Sequence, residues 1–277
     1  MANTTSINSE LFQNLLVQSQ YALYENSIAR AVSTVFDYPV GAGKVVSVPI
    51  WAGITSTKPG EGVAPSAVDT NTNSKTITLE EHVVFAEVTD FLRDSAQESV
   101  IGALGDQAGQ ALAEGLDKEL IALFSSVVQS IAQDGNDLTV NMLMQAAATI
   151  RSNKYTGPLY AIVNPKQAYG MKAALTATNA YTANTNAGNR ILDQYFVGSI
   201  AGITILEHAN VTVDANGDSL GCVFAPQAFG LAQRGGVTME EQRNAAKRST
   251  DVVLTAVAGA GILRPELAVK ILTDAQV

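Results

Sequence analysis

The sequence predicts an α+β protein: an extended two-stranded arm, one long helix, an α/β lobe, then further strands. Three observations carry that prediction. Lys44–Trp51 (KVVSVPIW) and Thr76–Thr89 (TITLEEHVVFAEVT) read as strands, and residues 52–75 between them are polar, rich in Gly, Pro, Ser and Thr, and without apolar periodicity. Apolar residues then recur every four positions from Leu92 to Phe124. Beyond residue 134, short apolar runs alternate with Gly, Pro and Asn-Gly punctuation. Structureless loops beyond about 12–15 residues in a compact domain are functional or disordered. An arm of this kind has no core of its own. It points to packing on a neighbouring molecule, and to assembly rather than catalysis.

Taken in order, residues 1–42 read as an extended or partly helical arm, with Ser9 capping a short helix that carries Leu11, Leu15, Leu16 and Leu23. Gly41, Ala42 and Gly43 break the chain before the first strand. The long helix spans about Leu92–Val127, roughly 54 Å at 1.5 Å per residue. Its four-residue repeat slightly exceeds the helical turn, so the apolar stripe winds around the rod. Gly102, Gly105, Gly109 and Gly115 each weaken a helix by about 1 kcal/mol relative to Ala. Close backbone packing would offset that, and a break near Gly102–Gly109 is the alternative.

Asp137 caps a predicted helix over Leu138–Asn153, and Leu159–Asn164 is a strand. Pro165 opens a helix over Lys166–Leu175, at the position where proline is tolerated. Thr176–Arg190 is a polar exposed loop. Gly202–Leu206 and Val211–Val213 are short strands, Ala215-Asn216-Gly217-Asp218 is a hairpin turn, and Leu220–Ala225 returns as a strand. The tail strands are Val237–Gln242, Val252–Val257 and Ala268–Leu272, expected to return to the long helix.

Length and composition bound the function. The 277 residues, 47% hydrophobic, suffice for a sizeable core in one large domain or two. No segment has the roughly 18–20 apolar residues of a membrane span, and the start (MANTTSINSELFQNLL) has no secretory pattern. The single cysteine, Cys222, lies in an apolar run and reads as a small buried hydrophobe. The net charge is −9, from 26 acidic and 17 basic residues, and the densest basic stretch is Arg243–Arg248 (RNAAKR). Nucleic-acid binders usually show a basic patch, so this stretch reads as solvated surface. An acidic protein could still enclose DNA and leave it mobile.

The chemical motifs all fall short. Gly217-Asp218-Ser219-Leu220-Gly221 matches G-x-S-x-G, but a strand follows where a helix is required, and both histidines, His82 and His208, precede the serine. Asp214, Asn216 and Asp218 resemble half of a calcium loop, with Ser219 and Ala225 where glycine and glutamate belong. Gly41-Ala42-Gly43-Lys44 lacks the first glycine and the Ser/Thr of a phosphate loop. Gly259-x-Gly261 has Arg264 in place of its third glycine. Neither histidine has a second ligand at metal spacing; both read as surface or edge residues, and Glu80-Glu81 as a solvated or subunit-facing pair. The sequence therefore predicts no catalytic, cofactor-binding or metal-ligating residue and no cofactor.

Five stretches carry a resemblance: GAGKVVSVPIWAGITSTKPGEG, SKTITLEEHVVFAEVTDFLRDSA, LGDQAGQALAEGLDKEL, PLYAIVNPKQAYGMKAAL and RSTDVVLTAVAGAGILRPELAVKI. Their order resembles the major capsid protein of tailed double-stranded DNA phages, with the Hong Kong 97-type capsid fold. The resemblance spans nearly the whole chain and rests on element order. It implies an N-terminal arm at 1–42, an extended loop and its base at 43–90, and a peripheral domain from 91–133 and 234–277. It implies an axial domain at 134–233.

The function implied is structural: a virion shell protein, assembled in the host cytoplasm, whose hexamers and pentamers build an icosahedral head around double-stranded DNA. Implied partners are further copies of itself, a separate scaffolding protein, a portal protein and a possible decoration protein, with no membrane. Some family members cross-link a loop lysine to a peripheral asparagine; Lys58, Lys75 and Asn244 are the residues available here. Two alternatives stay open at this point: an encapsulin-like nanocompartment shell of the same fold, and a serine hydrolase using Ser219.

Overall fold

A computed structural model of the chain describes residues 4–51, 56, 58, 60–62, 64, 72–95, 98–132, 135–177 and 199–275. The first part runs α1 (Thr4–Asn26), α2 (Ile28–Val32), β1 (Thr34–Asp37), β2 (Val45–Trp51), β3 (Thr72–Thr78) and β4 (Glu80–Thr89). The middle runs α3 (Asp90–Ser95), α4 (Glu98–Ala122), β5 (Gln129–Ala132), α5 (Val140–Ser152), β6 (Leu159–Val163) and α6 (Pro165–Ala177). The last part is β7 (Ser199–Ile200), β8 (Ile203–Glu207), β9 (Asp218–Phe224), β10 (Phe229–Asn244), β11 (Ser249–Ile262) and β12 (Ala268–Asp274).

Helix α4 is the spine. Its 25 residues span about 37 Å, shorter than the sequence suggests, because α3 is a separate helix and residues 123–126 tighten into a 3-10 turn. The glycines do not break it. A Cβ on Gly105 would stand 2.9 Å from the Leu15 carbonyl oxygen, and one on Gly109 would overlap that of Ser19. The glycines let α1 lie directly on α4. Leu15 and Leu23 then pack with Ala108, Leu112 and Leu116, and with Val252, Leu254 and Ala256 from beneath. The N-terminal arm is thus a long helix folded back on the spine, and it begins at Thr4, so Ser9 is not its cap.

Among the described residues the strands form three sheets. A four-stranded sheet has the order β1-β10-β11-β4, a six-stranded sheet β5-β12-β9-β6-β8-β7, and β2-β3 form a separate antiparallel hairpin. The sequence reads Thr76–Thr89 as one strand. The structure divides it at Leu79, giving β3 to the hairpin and β4 to the edge of the four-stranded sheet. Residues 72–75, expected as loop, are strand. β1 and β5 escape the sequence reading because each is four residues long and pairs parallel with a strand far along the chain. β10 and β11 do return to the spine. β12 does not; it pairs with β5 and β9 in the lobe sheet.

Local chemistry sets the lobe's helix starts. Thr139, not Asp137, caps α5 through Oγ1, which accepts from the Met142 amide at 3.4 Å. Asn164 caps α6: its Oδ1 accepts from Lys166 N at 3.0 Å, and Gln167 Oε1 accepts from Asn164 N at 3.1 Å. This reciprocal pair, with Pro165 between, is a capping box. Val211–Val213 is not a strand; Val213 alone bridges to Ser219. Of the predicted 176–190 loop, residues 176 and 177 end α6, and the rest lies outside the described residues. Phe124, Phe224 and Phe229 meet at 4.9–6.0 Å between ring centroids. They join the spine's end, the lobe sheet and the four-stranded sheet in one core.

Candidate assembly surfaces and the junctions that hold them

The hairpin's core fades along its length. At the root, Val46, Ile77 and Leu79 are buried with Ala232 and Leu263. Further out on the same face, Val48 and Ile50 are half-buried, and Trp51, on the opposite face, is 62% exposed. A strand pair that loses its core toward the tip leaves apolar surface for something else to cover. Edge strand β4 presents a second surface, with Val83 53% and Phe85 62% exposed. Both lie on the solvent side of an edge, where unpaired backbone groups and apolar side chains favour association. Val17 and Tyr21 on α1, four residues apart, add a third exposed apolar pair.

Two junctions fix these surfaces to the spine. His82, on β4, lies 2.8 Å from Glu119 of α4. The Glu119 carboxylate beside it holds the histidine pKa above its ordinary value, against burial. The second junction centres on Asp117, whose side chain is 4% exposed. Its Oδ1 accepts from Ser27 Oγ at 3.1 Å and Ala29 N at 2.8 Å, and its Oδ2 from Ile28 N at 3.2 Å. His208 Nε2 approaches Oδ2 at 3.3 Å. One carboxylate thus ties the α1–α2 corner and the lobe to the spine. Both histidines, expected as unremarkable surface or edge residues, bridge to α4.

The other sequence candidates resolve into structural roles. Ser219 is fully buried on β9, and its Oγ has no hydrogen-bond partner among the described residues. A nucleophile must reach substrate and a base; Ser219 reaches neither, so the hydrolase reading fails there. Asp214 Oδ1 accepts from the Asn216 and Asp218 amides at 2.8 and 2.9 Å, and Asp218 Oδ1 from Gly135 N at 3.0 Å. These groups shape a turn. No three His, Cys, Asp or Glu side chains among the described residues are grouped to hold a metal ion. Cys222 is buried, and burial pushes its thiol pKa far up, as expected of a packed hydrophobe.

Gly41 and Gly43 shape a turn at φ +89° and +92°, closed by the Tyr38 hydroxyl donating to Ala42 O at 2.8 Å, and β2 follows. Within Arg243–Arg248, Arg243 pairs with both oxygens of Asp90 at 2.7 and 2.6 Å, so this stretch is partly structural. Lys58 and Lys75 are exposed, Lys75 on β3, and Asn244 ends β10. No helix among the described residues is long and apolar enough to cross a membrane.

Comparison with known proteins places this architecture. Residues 72–271 match the family described as phage capsid protein. No curated protein matches the chain. Among solved structures, the capsid of cyanophage P-SCSP1u is similar at 18% identity, over 87% of this chain and 86% of that one, with a TM-score of 0.67. The capsid of an empty GTA particle is similar at 12% identity, over 90% of each chain, with a TM-score of 0.68. The acid-stable capsid of Helicobacter pylori bacteriophage KHP30 is similar at 12% identity, over 90% of this chain and 92% of that one, with a TM-score of 0.67. At such identities the likeness is one of fold.

Proposed function

The chain belongs to the phage capsid protein family, and we propose that its copies close an icosahedral head by assembling as hexamers and pentamers. It is a structural major capsid protein of a virion shell. One observation carries the mode of assembly: the outward face of β2 holds apolar side chains from root to tip, with Val45 51% and Trp51 62% exposed among the described residues. Each hairpin contact is modest alone, and a shell gains avidity from many at once.

In this reading, residues 1–42 and 43–90 are the arm and extended loop. Residues 91–133 and 234–277 form a peripheral domain, and 134–233 an axial one. The pairing of β5 and β12 within the lobe sheet supports counting both strands with the axial domain. The genome enclosed is double-stranded DNA, held without sequence-specific contact; the charge of −9 keeps phosphate affinity low. A scaffolding protein and a portal complete assembly in the host cytoplasm, and a decoration protein is a further candidate partner.

Negative-stain microscopy and light scattering of the recombinant protein test this reading. Closed polyhedra or hexameric rings are the expected result, alone or with a co-expressed scaffold. A protein that stays monomeric under both conditions would overturn it.

A further inference from the structure

Where the hairpin meets the body, its backbone rests on glycine. The β4–β11 ladder ends at Glu80 opposite Ala258. The preceding residues, Ile77–Leu79, cross over the face of β11 instead of continuing beside it. A Cβ on Gly259 would overlap the Thr78 carbonyl oxygen and stand 2.9 Å from its carbon and 3.2 Å from Leu79 Cα. A Cβ on Gly261 would stand 2.8 Å from Ile77 Cγ1. Gly230, paired with Gly261 on β10, would meet Ile77 Cδ1 at 3.0 Å.

None of these three glycines has a positive φ, so backbone conformation does not demand them. Glycine inside a strand weakens it and marks close approach of another chain segment. Space is the reason here: a side chain at any of the three would press on Ile77 or Thr78, in a segment where Ile77 and Leu79 are 1% and 2% exposed.

We propose that Gly230, Gly259 and Gly261 form a flat seat that sets the angle at which the hairpin leaves the body. They are positioning residues for shell closure. The seat is a property of the single subunit; its effect on closure rests on the capsid reading above.

The two main contacts differ in a testable way. Gly261 faces a removable side-chain atom, whereas Gly259 faces backbone. Gly261→Ala should lift the hairpin, and adding Ile77→Ala should let it settle back. Gly259→Ala should lift it too, with no relief from Ile77→Ala. Spin labels on Lys75→Cys and Glu240→Cys, both exposed, report the hairpin's position in subunits; Cys222 is buried and stays unlabelled.

The expected result is a shifted or broadened label distance in both single variants, restored only in the Gly261→Ala/Ile77→Ala pair. Circular dichroism should show folded protein throughout, and if Gly259→Ala fails to fold, the Gly261 pair still decides. Particle yield should follow the distance, falling about tenfold or more in the single variants. Unchanged distances in both variants, or equal rescue of both by Ile77→Ala, would overturn the seat. Shifted distances with wild-type particle yield would overturn its role in closure. Failure of the parent protein to assemble would count against the capsid reading alone, since the label distances are read without particles.

Discussion

Removing the Asp117 carboxylate should destabilise the subunit more than any other single polar change at the spine. Helix α2 has five residues, and like those of any helix its first amides have no partner within it. Asp117 supplies one from another helix, taking Ile28 N and Ala29 N together with Ser27 Oγ. Asp117→Ala leaves two amides and a hydroxyl without their acceptor. A buried unsatisfied group costs about 1–3 kcal/mol, the losses are not additive among neighbours, and breaking a buried charged contact costs about 3–5 kcal/mol. We expect about 4 kcal/mol, a large part of the roughly 5–15 kcal/mol typical of a domain.

Asp117→Asn keeps one acceptor but turns a donor toward Ile28 N and His208, for an intermediate loss of about 2 kcal/mol. Ser27→Ala removes the α2 cap, in which Ser27 Oγ accepts from Arg30 N at 3.4 Å, for about 1 kcal/mol. Urea unfolding followed by circular dichroism should rank the three in that order, with unchanged m-values. A Ser27→Ala loss equal to that of Asp117→Ala would refute the shared-acceptor reasoning, as would an Asp117→Ala variant as stable as the parent.

Three further outcomes follow. Leu112 is 1% exposed between α1 and the β10–β11 hairpin; Leu112→Ala should cost about 2–5 kcal/mol in the same assay, and Leu112→Asp should prevent folding, since an unpaired buried charge is costlier still. For His82, the Glu119 carboxylate raises the folded pKa, so its contribution is full below the unfolded value of about 6.5 and is lost as pH rises through the folded one. The urea midpoint should therefore fall as pH rises above about 6.5 in the parent, and Glu119→Gln should flatten that slope; equal slopes would refute the pair. Ser219→Ala removes a buried hydroxyl that has no partner among the described residues, so it should leave the melting temperature unchanged or raise it, and a clear loss would mean that the hydroxyl is satisfied.

Much of the spine was legible because the Leu104–Leu112–Leu116–Leu120 spacing survives any tertiary context. Its start was not, because α3 is held by a contact 153 residues away, between Asp90 and Arg243. Asp117 was overlooked for a related reason. Read alone, LDKEL is a charged stretch on a helix surface. Yet Asp117 falls four residues after buried Ala113 and one after buried Leu116, inside the buried arc of a 3.6-residue helix. A carboxylate on that arc must find donors, and neither α2 nor His208 could be identified as the donor before the fold was known.

The break at Leu79 hides in the strand pattern itself. Ile77 and Leu79 point inward at odd positions, whereas in β4 the inward residues are His82, Val84, Ala86 and Val88, at even positions. The phase flips between the two strands. Apolar residues nevertheless continue at odd positions 83 and 85, so the run reads as one uninterrupted strand. The flip is what puts Val83 and Phe85 on the solvent side of an edge strand. For a subunit that remained single, that placement would invite aggregation, and charged or polar residues would serve better there. Apolar residues on the outside of the flip therefore imply a surface that is covered in the working state, as a shell subunit's is. The feature that misled the strand reading is the one that speaks for assembly.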